Sequence, residues 1–164
     1  MNDNYLILDG KRVELTEEQL GALGIVTRKS PFDRVAKGET YSLVGCYGYA
    51  VDCRDDREHG DNASFSCHNY FNDKGFANQV ALHQLLYRKL LKFAYDNNCV
   101  DTAGWDGNNG HWCVYYNNIK KDFDTSRWKK FQLMSVYFSS EWDAERAIKE
   151  VVEPFVKDHP EFVW

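Results

Sequence analysis

Cysteine and histidine recur in one short stretch of this chain in a pattern that could hold a metal. Cys53 opens a loop, His59 lies within it, and Cys67 and His68 follow on what reads as the returning strand. Thiolate and imidazole suit zinc. A loop of this length can bring Cys53, His59 and Cys67 around one ion, with His68 or a carboxylate as fourth ligand. Cys46 is too distant to join, because seven extended residues separate it from Cys53 by roughly 23 Å. Cys67 and His68 face opposite sides of a regular strand, so both ligate only at a bulge. The competing reading is ordinary buried thiols and surface histidines, since free cysteine packs as a small hydrophobe. His111 and Cys113, two apart on one strand face, form a second candidate pair.

The same loop is acidic, with Asp52, Asp55, Asp56, Glu58 and Asp61. It lacks the alternating ligands and terminal Glu of an EF-hand. These carboxylates read either as a solvated face or as the contact set for a basic partner. Residues 41–71 hold five acids against two bases and 139–164 hold seven against three, whereas 72–138 carry six acids and nine bases. The net charge of −5 argues against a general duplex-DNA binder, which needs a basic face. An alternative role, single-stranded nucleic-acid binding, rests on Lys120-Lys121 and Arg127-Trp-Lys-Lys-Phe131, where bases and aromatics interleave. No Walker loop, dinucleotide glycine fingerprint, nucleophile elbow or His-Glu-x-x-His is present, so no enzyme is expected.

The 164 residues are enough for one domain with a real core, and 43% apolar with 15% aromatic content excludes a disordered chain. No apolar run reaches membrane-spanning length, and the N-terminus lacks the pattern of a secretory signal, so a cytoplasmic protein is expected. Five cysteines without a Cys-x-x-Cys spacing then read as free thiols or ligands rather than disulfides.

The elements that must position these residues follow from turns and periodicity. Residues 5–15 read as a hairpin around Asp9-Gly10, followed by a short helix capped by Thr16 and stopped at Gly24. Residues 27–40 read as a polar linker, which sets residues 1–40 apart from a domain at 41–164. Strands are expected at 41–53 and 63–71, then a helix over 73–97, on the order of 36 Å long. Its buried stripe is Phe76, Val80, Leu86, Leu90 and Phe93, widened by Leu82 and Leu85. Strands follow at 111–116 and 131–138. A last helix starts at a Ser140–Asp143 capping box, and Pro154 kinks or ends it.

Asn69-Tyr-Phe-Asn-Asp-Lys-Gly-Phe-Ala77 and Val136-Tyr-Phe-Ser-Ser-Glu-Trp-Asp-Ala144 repeat one another. Each is a strand end, a polar cap and a helix start. The expected fold is therefore α+β: two β-β-α units, 41–100 and 101–164, sharing one antiparallel four-stranded sheet with both helices on one face.

Several further segments carry a resemblance: Pro31-Phe-Asp-Arg-Val35, Lys37-Gly-Glu-Thr-Tyr41, Trp105-Asp-Gly-Asn108 and Ala144-Glu-Arg-Ala-Ile148. With residues 8–20 and the two Tyr-Phe segments, the chain resembles small phage and prophage accessory proteins of Gram-positive bacteria. Such cargo includes anti-defence inhibitors, anti-CRISPR proteins among them. The resemblance implies a non-enzymatic inhibitor that binds a host protein, a CRISPR nuclease in particular, with the acidic loop facing a basic groove. The Cys/His set lies outside the shared pattern and reads as a local elaboration, a zinc-stabilised loop. The runner-up reading is a nucleic-acid-binding accessory protein of phage replication or regulation, and a zinc-stabilised structural module is the third.

Overall fold

The computed structural model describes residues 5–23 and 30–164. Strands β1 (Tyr5–Leu8) and β2 (Lys11–Glu14) pair antiparallel across Asp9-Gly10, both in the left-handed region (φ 50° and 77°) that a two-residue turn of this kind requires. Helix α1 (Glu17–Ala22) starts at Thr16, whose hydroxyl accepts from Gln19 N while the Gln19 side chain accepts from Thr16 N. The expected stop at Gly24 and residues 27–29 of the expected linker lie outside the described residues, as do residues 1–4.

The first unit differs from the expected hairpin. Strands β3 (Thr40–Val44) and β4 (Ala50–Arg54) turn back within 45–49, so the expected strand at 41–53 is itself a hairpin. Gly48 supplies a left-handed residue there (φ 84°), and Gly45 N donates to Tyr49 O. The expected return strand at 63–71 is instead helix α2 (His59–Ser66), after which the chain meets β3 at a single bridge, Ser42 to Phe71. Helix α3 (Lys74–Asp96) follows with Asp73 as cap, close to its expected bounds.

The second unit repeats this plan. Strands β5 (His111–Asn117) and β6 (Asp122–Trp128) form a hairpin, and Phe138 bridges to Trp112 and Val100. The return strand is thus 122–128, not the expected 131–138. Ser140 caps α4 (Glu141–Ala147), which runs through a π-helical turn (Ile148–Val152) into α5 (Glu153–Asp158). Pro154 has no N–H for the carbonyl four residues back, and the helix widens just ahead of it rather than stopping.

The fold is α+β, but the four strands do not join one sheet. The described residues form three separate two-stranded sheets. The reason is local: the outer edge of each hairpin's first strand is taken by its own Tyr-Phe segment, with Phe71 N and Ser42 N each donating across at 2.8 Å and Phe138 N donating to Trp112 O at 2.8 Å. Helix α3 joins the units instead. Its N-terminal end packs Ala77 and Val80 against Ala50 and Phe71, and its C-terminal half packs Leu86, Leu90 and Phe93 against Val114, Phe138, Ala144 and Val152. The segment 161–163 is strapped to α3 by Gln79, whose amide donates to Glu161 O and accepts from Val163 N. No helix among the described residues is long and apolar enough to cross a membrane.

Phe138 is fully buried at the junction of bridge, helix and core. Phe138→Ala should cost about 3–5 kcal/mol in urea unfolding, the range for removing a buried aromatic. A loss below about 1 kcal/mol would mean that this bridge does not organise the second unit.

Candidate functional site

The acidic loop is built inward. Asp55 has no exposed surface, and its carboxylate accepts from Arg34 Nε (2.8 Å) and Nη2 (3.1 Å), from Arg57 N (2.9 Å) and from the Tyr70 hydroxyl (2.9 Å). Arg57 Nη1 lies 3.1 Å away and completes the cage. The Arg34 hydrogen bonds hold this carboxyl well below the usual carboxylate range, outweighing the opposing effect of burial. Asp61 is also buried; it accepts from the Tyr41 hydroxyl and from the backbone N–H groups of Asp56 and Glu58. Burial, with the Asp61 bond, pushes Tyr41 up to about 12.

Residues 30–39, expected as a linker, are bound into this structure. Phe32 packs on Phe71 and Phe76, Asn72 Nδ2 donates to Ser30 O and Asp33 O, and Val35 N donates to the Tyr70 hydroxyl. Of the five proposed contact acids, Asp55 and Asp61 are therefore interior. Asp52 accepts from Ser42 Oγ and pairs with Lys74 at 2.6 Å; Asp56 pairs with Arg54 at 3.2 Å. Glu58 is exposed, directly before α2.

The metal reading fares similarly. Cys53 is half-buried on β4 opposite Tyr41, His59 opens α2, and Cys67 and His68 close it, exposed. Helix α2 holds His59 and Cys67 at its two ends, where the expected open loop would have let them converge. Cys67 Sγ lies 3.4 Å from Ser64 O. Among the described residues no group of three or more His, Cys, Asp or Glu is placed to share a metal ion.

His111 and Cys113 are both buried. His111 Nδ1 lies 2.6 Å from Asp101 Oδ2, and the ring stacks on Trp105 at 3.6 Å and 13°. A carboxylate-oriented imidazole is the arrangement of a general base, yet this ring reaches no solvent. Its Nε2, like Trp128 Nε1 on the paired strand residue, is buried without a hydrogen-bond partner among the described residues. Burial pushes the Cys113 thiol up, away from the reactive thiolate. His111 stands where Tyr41 stands in the first unit, one residue before the bridged position, and each ring packs near the Tyr of its own Tyr-Phe pair.

The basic hairpin is also partly engaged. Lys120 pairs with Asp124 at 2.6 Å, Arg127 lies over Trp112, and Phe123 packs against Tyr116 and Trp164. A cavity of about 230 Å³ lies between α3 (His83, Leu86, Tyr87, Leu90) and the stretch Met134–Val136, with Val114 and Trp164 also lining it. Met134 is fully exposed at its rim, and Phe131 and Leu133 beside it are exposed as well. This groove was not foreseen, because residues 131–138 read as the return strand of the second hairpin. The signal lay in Phe131, Leu133 and Met134 following the lysine run, in a stretch with no regular hairpin partner.

No protein-family model matches the chain, and neither a curated protein nor a solved structure is found to be similar to it.

Replacing Asp55 by Asn leaves two arginines facing a neutral side chain, and should cost about 3 kcal/mol of stability at neutral pH. Its folded-state pKa is lowered, so its contribution is complete above the unfolded value near ~4 and is lost as pH falls through the folded one. Urea unfolding should therefore show wild type losing stability faster than Asp55→Asn as pH drops below about 4. Parallel pH profiles for the two proteins would contradict this.

Proposed function

We propose that the chain acts by binding another protein, as a phage-borne inhibitor of a host defence nuclease, and catalyses no reaction of its own. The observation that carries the binding part is the groove between α3 and Met134–Val136, with Phe131, Leu133 and Met134 exposed beside it. An exposed apolar patch around a concave site costs solubility and marks a contact surface. Unbranched, polarizable Met134 suits an adaptable contact, and Tyr87 gives a rigid aromatic edge. The resemblance in residues 8–20, 31–41, 105–108 and the two Tyr-Phe segments supports the phage setting and the defence target, a CRISPR nuclease in particular.

The acidic loop has a smaller part in this reading than its charge implies. Two of its acids are interior and two are already paired at the surface. Complementary charge from Glu58 and the acidic C-terminal helices then steers the approach, while the groove holds the partner.

Target-DNA cleavage by purified CRISPR effector nucleases, with and without the chain, tests the proposal. At least one effector should be suppressed at near-equimolar chain. Met134→Asp should weaken that suppression at least about tenfold while leaving the folded spectrum intact, as expected for a central interface contact. Suppression of no effector, suppression through direct capture of the DNA, or an unaffected Met134→Asp variant would each contradict it.

A further inference from the structure

Trp142 is the largest side chain that the duplicated plan leaves unused. It stands where the first Tyr-Phe segment has Gly75, so the fold itself asks for no side chain there. The neighbouring repeat positions Ala77 and Ala144 are both fully buried, whereas Trp142 is 63% exposed on the first turn of α4. The ring is nonetheless held in place. The Arg146 guanidinium lies 4.7 Å from its centroid and 5.3 Å from that of Phe93, between the two aromatics. Arg146 is itself tied by Asn97 Oδ1 at 2.9 Å and Glu150 Oε1 at 3.0 Å. An exposed tryptophan immobilised from one side loses little freedom on binding, which is the property of an interface anchor.

The surroundings state the partner's charge. Arg146 is balanced by Glu150 and, at 3.9 Å, by Asp143. Glu141, one residue before Trp142, and Glu145, three after it, are exposed. No hydrogen bond or ion pair among the described residues occupies either carboxylate. Glu145, three residues on, is a surface neighbour of Trp142, and Glu141 is four residues before Glu145, so the two carboxylates neighbour one another on the side of the indole away from Arg146. Phosphate backbone is repelled from such a place. A guanidinium suits it, because one planar group stacks on the indole and forks to a carboxylate.

We infer that the Trp142 face of α4 is a docking surface for an arginine-bearing protein segment, with the indole as anchor and Glu141 and Glu145 as its charge partners. This rests on the reading that the chain works by binding, and it names the chemistry of the partner at a face separate from the groove.

The test follows the indole N–H resonance of Trp142, assigned by its loss in Trp142→Phe, while an oligo-arginine peptide is added. The resonance should shift and saturate. By that resonance the double variant Glu141→Lys, Glu145→Lys should bind about tenfold more weakly and Met134→Asp should be unchanged. By titration calorimetry with the same peptide Trp142→Ala should also bind about tenfold more weakly. An oligo-glutamate peptide and a single-stranded oligonucleotide should leave the resonance in place. An unmoved indole, equal affinity in Trp142→Ala, a shift with the oligonucleotide, or a shift that tracks self-association would overturn the proposal. Nuclease suppression is not read here, so a failed inhibitor role and a failed docking face give different results.

Discussion

Asp55 is a carboxylate taken wholly out of water, and the first unit is arranged around neutralising it. An unpaired charge in that position would cost several kcal/mol, so cations and donors must be brought to it. They come from three places, two of them distant in sequence: Arg34 from the segment before β3, Tyr70 from beside the bridge, and Arg57 from the loop itself. This requirement draws residues 30–39 onto the body of the protein. Arg57 Nη2 donates to Val35 O and Val35 N donates to the Tyr70 hydroxyl, so the cage closes on its own backbone.

The second unit solves the corresponding problem without that charge. His111 replaces Tyr41, and Asp101 with Trp105 encloses it, while Tyr137 bonds Leu133 at both its N–H and carbonyl rather than an acid. Shared parts are the hairpin, a bridge from the Tyr-Phe segment to the hairpin's first strand, the cap two residues on, and a buried alanine four residues after the cap. Departures from the shared plan face outward: Trp142 in place of Gly75, and Met134 ahead of the second bridge.

Much of this was legible in the chain, for identifiable reasons. Asp9-Gly10, Asp73 and Ser140 are local devices whose chemistry needs no distant partner. The stripe of α3 is long and periodic enough to stand out, although Phe76, expected in it, is exposed and Ala77, Ala81 and Ala94 belong to the buried face. Helix α2 was not legible because only Asp61 along it is buried, which leaves no apolar period to read. The separation of the sheets depends on which backbone reaches an edge first, and no residue pattern encodes that. Within the acidic loop nothing local distinguishes Asp55 from Asp56; the difference lies in Arg34 and Tyr70, 21 and 15 residues away. The groove likewise exists only once α3 meets residues 134–136.

In this account the polar chemistry that first draws the eye holds the fold, and function belongs to apolar surface the fold leaves uncovered. Hydroxyl-radical footprinting of the chain, free and in complex with the nuclease it suppresses, tests that division directly. Met134 should oxidise readily when free and be strongly protected in the complex, with little change across residues 52–61. Protection of 52–61 with Met134 left reactive would contradict the account.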